Sequence, residues 1–149
     1  FPNPDKNILW IIKQCINHKM DIVNQDQYDQ NIRNILNFGH TLGHALESYY
    51  DFKVSHGEAV LYGMMVASLL SKQANYLNDN DYQRIIKLIG TFKLPKLGDF
   101  DSGQIMSWIN SDKKNIGNKL NYILLKNIGT ATIEKNYNKE LIEESLKIL

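Results

Sequence analysis

Apolar residues return every three or four positions at Ile8, Ile11, Ile12, Cys15 and Ile16. That period predicts an amphipathic helix from Ile8 to about Met20, capped by Asp5 or Asn7. Asn24 to Gln30 is polar and reads as a loop or a helix start. From about Asn31 to Tyr50 the helical period recurs at Ile32, Ile35, Leu36, Leu42 and Leu46. Asp51 to Ser55 breaks it. Gly57 to Leu77 is rich in Ala, Met and Leu and predicts a buried central helix, with Ala59, Val60, Met64, Ala67 and Leu70 as its core stripe. Lys72 and Gln73 argue against a membrane span there. Asn78-Asp79-Asn80-Asp81 is a turn cluster leading into a helix from Tyr82 to about Phe92, which Leu94-Pro95 ends. Ser102 can cap a short helix through Ile109. Leu120 to Leu125 suits a short strand, and Lys139 to Leu149 a closing helix. The chain therefore reads as mainly α. These residues show neither strand–helix alternation nor a glycine-rich phosphate loop, so no dinucleotide-binding fold is expected in them.

Composition narrows the classes. With 149 residues the chain is long enough for one domain with a real core, and its apolar fraction, 43%, is that of a globular protein. A net charge of +1 with interspersed signs gives no support for a nucleic-acid partner. No apolar run reaches membrane-span length, so no membrane partner is expected. The start, Phe1-Pro2-Asn3-Pro4, has no secretory pattern and no initiator Met, so the chain is expected to be cut from something longer. Cys15 has no partner for an internal disulfide, which suits a reducing, cytoplasmic setting, and its apolar neighbours predict a buried small side chain.

The chemistry concentrates in Arg33-Asn34-Ile35-Leu36-Asn37-Phe38-Gly39-His40-Thr41-Leu42-Gly43-His44-Ala45-Leu46-Glu47 and His56-Gly57-Glu58-Ala59-Val60, which hold three of the four histidines. On a continuous helix Arg33, Asn37, His40, His44 and Glu47 fall on one stripe, at intervals of 4, 3, 4 and 3. Ordinary solvent stripes are built of Lys, Glu and Gln. This one offers a guanidinium, an amide and two imidazoles, groups that bind anions, hydroxyls and metals. Gly39 and Gly43 keep the adjacent surface low, so a ligand or another helix can approach. A pair of histidines at this spacing is as often polar packing as a metal site, but His56 at the mouth of a buried helix shifts the balance toward metal. Thr41 after the first histidine rules out the zinc-protease pattern. Glu47 and Glu58 have three roles open: metal ligand, hydrogen-bond partner of a ligand, or helix-capping acid. For Glu58, in the first turn of its helix, capping fits best. Asp112-Lys113-Lys114-Asn115, Lys19 and His18 read as solvated surface when taken alone.

Together these stretches resemble the signature of the 3-dehydroquinate synthase family. The likeness runs from Lys19 and Asp26 through the Asn37–Glu47 and His56–Val60 motifs and Gly63-Met64 to Asp112–Asn115, Asn121–Leu125 and Ile128-Gly129. It implies a helical bundle-like C-terminal domain of the dehydroquinate synthase-like superfold, occupying 1–149, with the NAD-binding α/β domain lying outside this chain. It implies conversion of 3-deoxy-D-arabino-heptulosonate 7-phosphate to 3-dehydroquinate with release of phosphate, in the shikimate pathway, using NAD and zinc or cobalt. By the same resemblance His40 and His56 are metal ligands, with a third ligand in the other domain, and the full-length enzyme is a homodimer. His44 assists substrate binding or proton transfer. Arg33, Asn37 and Lys19 contact substrate, and Lys113 or Lys114 lies near the phosphate. Asp29, a further substrate-binding position, stands where the family usually has Glu, and Asn31 where Gly is common, a change eased by the tolerance of Asn for left-handed backbone. The fragment alone is expected to lack synthase activity, and its donor stripe is expected to line an open groove. Three alternatives remain: another sugar-phosphate cyclase of this superfold, a metal-dependent alcohol dehydrogenase-like domain, and a non-enzymatic helical module with structural histidines.

Overall fold

The computed structural model describes residues 4–111, 121–135 and 137–149. It contains α1 (Pro4–Gln25), a 3₁₀ turn (Ile32–Asn37), α2 (His40–Tyr49), α3 (His56–Gln73), α4 (Asp79–Ile89), α5 (Ser102–Ser111), β1 (Asn121–Asn127), β2 (Thr130–Lys135) and α6 (Lys139–Ser145), which runs into a final 3₁₀ turn, Leu146–Ile148. No helix among the described residues is long and apolar enough to cross a membrane. The contacts fall into two compact units, Phe1–Leu36 and Asn37–Leu149.

In the first unit, α1 is longer than its apolar period. It opens at Pro4, a residue suited to the first helical turn because its missing N–H has no partner there anyway. Its expected core face is exposed instead: Ile8, Ile12 and Ile16 are each about half accessible, and Cys15 is exposed rather than buried. Periodicity marks a face as apolar but does not supply its cover. Asp26 is buried where α1 ends. Its carboxylate accepts the backbone N–H groups of Gln30 at 3.0 Å, Asn31 at 2.7 Å and Arg33 at 3.0 Å, which folds the loop into the 3₁₀ turn. These bonds, led by that of Gln30, hold the carboxyl below its ordinary range. The left-handed residue of this loop is Asp29, at φ 55°, and Asn31 is not left-handed.

The second unit is built round α3. Ala59, Tyr62, Val66, Ala67 and Leu70 join Leu42, Ala45 and Leu46 of α2, Ile105, Met106 and Ile109 of α5, Tyr122 and Leu124 of β1, and Ile142 of α6 in one core. Each fully buried Leu or Ile contributes about 1.5–3 kcal/mol. Of the expected α3 stripe only Met64 is half-buried; the other four are buried. Two caps correct the sequence reading. Asn78 accepts Asp81 N–H at 2.9 Å, so α4 starts at Asp79 rather than Tyr82. Asp101, not Ser102, caps α5 through Gln104 N–H at 3.2 Å. The expected strand is real but pairs antiparallel with β2, a strand the pattern did not announce, across a turn that needs Gly129 at φ 93°. The hairpin is fixed to α3 by Ser71, whose hydroxyl donates to Ala67 O at 2.6 Å and accepts Leu125 N–H at 2.9 Å. The linker before α5 is held by tyrosines: Tyr49 Oη accepts Asp101 N–H, Tyr50 Oη donates to Gly98 O, and Tyr62 Oη donates to Pro95 O.

Candidate metal centre

The predicted continuous helix over 31–50 is broken, and the break builds the site. Gly39 takes φ 81°, a conformation L side chains rarely adopt, and α2 starts afresh at His40. The 3₁₀ turn before it means that Arg33 and Asn37 do not share a helix with His40, His44 and Glu47. The next helix, α3, begins at His56. There Ser55 donates to Glu58 Oε2 from its backbone N–H at 3.0 Å and its hydroxyl at 2.6 Å, which holds the Glu58 carboxyl low. Glu58 is thus engaged as a cap.

α2 and α3 run antiparallel along a seam of small residues. A Cβ on Gly39 would lie 2.7 Å from Met64 N, and one on Gly43 would lie 3.1 Å from Val60 Cα. A Cβ on Gly63 would run into the Gly39 carbonyl. One turn further along α2, Glu47 meets His56. The low surface at Gly39 and Gly43 therefore admits a helix, and this close approach brings the first residue of α3 to the histidines of α2.

The three imidazoles form a nearly equilateral triangle. Ring centroids are 5.5 Å apart for His40 and His44, 5.3 Å for His40 and His56, and 5.7 Å for His44 and His56. With metal–nitrogen bonds of about 2.0–2.1 Å and tetrahedral angles, rings sharing an ion have centroids about 5 Å apart, so the rings are near that spacing, and the ligand atoms decide which of them converge. His40 Nδ1 lies 3.3 Å from Phe38 O, and His56 Nδ1 lies 3.0 Å from Glu47 Oε2. Both partners accept, so Nδ1 is the donor in each, and Nε2 is the nitrogen left for an ion. Among the described residues no such bond fixes His44. Burial, with the two neighbouring imidazoles, lowers the His40 pKa against the opposing pull of the Phe38 carbonyl. The neutral ring that this favours is the form that binds a metal. The ligand-type atoms that lie within 4.8 Å of one another belong to His44, Glu47 and His56, and His40, an expected ligand, is outside that group. The group is a nitrogen-and-oxygen donor set suited to zinc or cobalt. His40 is half-buried, while His44 and His56 are exposed, so the donors face an open surface.

The family model for the C-terminal part of 3-dehydroquinate synthase matches residues 3–115. The chain belongs to the 3-dehydroquinate synthase family. The 3-dehydroquinate synthase of Picrophilus torridus is 39% identical over 140 residues, covering 93% of this chain and 41% of that protein. That of Dehalococcoides mccartyi strain BAV1 is 45% identical over 130 residues, covering 87% of this chain and 36% of the relative. The chain thus spans about two-fifths of the length of these curated relatives. Two solved structures share the fold. A 2-deoxy-scyllo-inosose synthase complexed with carbaglucose-6-phosphate, NAD+ and Co2+ matches with TM-score 0.82 and 26% identity, over 96% of this chain and 41% of its own. The ValA 2-epi-5-epi-valiolone synthase of Streptomyces hygroscopicus, with NAD+ and Zn2+ bound, matches with TM-score 0.83 over 94% of this chain and 39% of its own, at 19% identity.

The other residues singled out by the family resemblance each have their place within their own unit. Asn37 is exposed at the end of the 3₁₀ turn. Lys19 lies on an exposed part of α1, and Asp29 on the exposed loop. Arg33 is half-buried and donates from a guanidinium nitrogen to Gln27 O at 3.0 Å. Lys113 and Lys114 lie outside the described residues. The feature sequence reasoning left open is Glu47, and its place on the Gly39–Gly43 stripe, four residues on, is the signal that it faces α3.

Proposed function

We propose that this chain is the metal- and substrate-binding helical part of a 3-dehydroquinate synthase, which converts 3-deoxy-D-arabino-heptulosonate 7-phosphate to 3-dehydroquinate and phosphate. The observation that supports it best is the imidazole triangle, formed by the family's own motif with ring spacings of 5.3–5.7 Å. His40 and His56 are the ligands in this reading, because each has Nδ1 tied to an acceptor and Nε2 directed elsewhere. His40 and His56 would hold a divalent ion, zinc or cobalt, which when bound would supply Lewis-acid chemistry to a substrate hydroxyl, and NAD, held mainly by a domain outside this chain, would supply the hydride acceptor. His44, stacked against His56 and exposed, assists substrate binding or proton transfer. Asn37 contributes amide hydrogen bonds. Arg33 and Lys19 supply cations for carboxylate and phosphate oxygens, and Lys113 or Lys114 a further one; Asp29 is a further substrate-binding position. These roles, a cytoplasmic setting and a homodimeric full-length enzyme rest on the family resemblance. Elimination of phosphate and ring closure need positioning and charge neutralisation more than a strong acid, which suits this inventory.

The likeness to the inosose synthase supports a second reading, a cyclase acting on a different sugar phosphate. One chimera tests both. The chain replaces the matching C-terminal segment of the Dehalococcoides mccartyi enzyme, and NAD-dependent phosphate release is measured with the heptulosonate phosphate and with a hexose 6-phosphate. Turnover of the first only is expected. Turnover of the hexose phosphate alone supports the second reading, and a folded, metal-loaded chimera inactive on both overturns the proposal. The 149-residue chain by itself should show no turnover.

A further inference from the structure

We infer that Glu47 is a positioning residue of the metal centre: its carboxylate holds the His56 imidazole in the tautomer and orientation that present Nε2 to an ion. The inference rests on the metal reading above and extends it to a residue that the reading leaves without a role. Glu47 Oε2 lies 3.0 Å from His56 Nδ1. The Glu47 side chain is only 13% exposed, whereas that of His56 is 56% exposed. A carboxylate largely withdrawn from water makes a stronger, more directional hydrogen bond than a solvated one. Its backbone is equally constrained. The Glu47 carbonyl accepts Phe52 N–H at 2.8 Å, closing the turn that follows α2, and the Gly39–Gly43 seam fixes the helix against α3. Among the described ion pairs, Glu47 meets no lysine or arginine, so its carboxylate is committed to the imidazole. Histidines that bind metals commonly donate their other N–H to a carboxylate or carbonyl in this way. His40 has the corresponding arrangement with Phe38 O, at 3.3 Å. The rival role for Glu47 is direct ligation, since its oxygens lie within 4.8 Å of ligand atoms on His44 and His56.

The test uses the 149-residue chain, with Glu47→Gln, Glu47→Ala and His56→Ala as variants and circular dichroism as the folding control. Zinc affinity is read by chelator competition, the coordination shell by zinc X-ray absorption, and the His56 tautomer in the metal-free chain by ¹⁵N NMR. Glu47→Gln, which keeps the shape but removes the charge, should weaken zinc about 10–100-fold while leaving the number of imidazole ligands unchanged. His56 should then lose its single tautomer. Unchanged affinity with an unchanged tautomer overturns the inference. So does loss of an oxygen ligand from the zinc shell in Glu47→Gln, because Glu47 then ligates directly. Failure to take up zinc both by the wild-type chain and by the chimera above, which restores the other domain, overturns the metal reading instead. The tautomer comparison then still shows whether Glu47 controls His56.

Discussion

Gly63→Ala is the sharpest test of how this unit is assembled. Gly63 is buried in the middle of α3, and a Cβ there would stand 2.8 Å from the Gly39 carbonyl carbon and closer still to its oxygen. Ordinary carbon–carbon contact needs about 3.5–4.0 Å, so α2 and α3 must part by about 1 Å. Neither partner can turn aside, because both are backbone. Parting the helices also loosens Gly39 against Met64 and Gly43 against Val60, which are packed at 2.7–3.2 Å from ideal Cβ positions. Overpacking of this kind costs about 1–3 kcal/mol, and the absence of a flexible neighbour puts Gly63 at the top of that range. For a chain of this size, about 3 kcal/mol lowers Tm by roughly 10 °C. Gly57→Ala is the control. It lies in the first turn of the same helix with no atom within 4 Å of its added Cβ and an ordinary φ. It should be stabilising by about 0.5–1 kcal/mol. The measurements are urea unfolding of both variants and zinc titration of each. Gly63→Ala should weaken zinc as well as stability, because the seam that it opens sets the distance from His56 to His40 and His44. A Gly63→Ala protein as stable as wild type would refute the seam, and one destabilised but unchanged in zinc affinity would separate the seam from the site.

Two further perturbations address the rest of the chain. Asp26 is held below its ordinary pKa of 3.8 by backbone hydrogen bonds, so the stability it confers is present above that pH and lost as pH falls through the depressed value. Asp26→Asn should therefore lower the urea midpoint at neutral pH, flatten the acid limb, and speed amide exchange at Gln30, Asn31 and Arg33; identical acid limbs would refute the assignment. Tyr122 is fully buried, its hydroxyl has no hydrogen-bond partner among the described residues, and burial raises its pKa above the ordinary 10.0. Its contribution is fully present below pH 10 and is lost as pH rises toward the raised folded value, so Tyr122→Phe should flatten the alkaline limb. At pH 7 the same change should be neutral or stabilising by up to about 1 kcal/mol, and a loss above about 1.5 kcal/mol would show that the hydroxyl is bonded.

Much of the second unit was legible in the sequence. The α3 stripe, the turn cluster at Asn78–Asp81 and the capping role of Glu58 all follow from local chemistry, period and side-chain acceptors, and the structure contains each. What was not legible depended on distant residues. Leu36 to Leu46 keep a helical period across Gly39, so the period alone could not show a break that is stabilised by Val60, Gly63 and Met64, more than twenty residues away. β2 reads as an unremarkable polar and β-branched run until Ile123 and Leu124 are placed opposite Ile133 and Thr132. On α1 the period gave the helix correctly and its burial wrongly, because the same apolar face can be covered or open.

The break at Gly39 also explains why the donor stripe reads correctly for half its length. His40, His44 and Glu47 keep their relative positions because all three lie within α2, where the intervals of four and three hold. Arg33 and Asn37 precede the left-handed glycine, so helical arithmetic says nothing about where they point. The same glycine that defeats that arithmetic makes His40 the first residue of a helix. His56 is placed likewise, by the cap formed between Ser55 and Glu58. At a helix start the backbone N–H groups are unpaired and carry partial positive charge. At the start of α3 that charge is met by the Glu58 carboxylate of the cap, and the Glu47 carboxylate lies on His56 Nδ1. The glycines, the caps and the helix starts thus act together, which is why the Gly39–Gly63 contact matters to chemistry that neither residue touches.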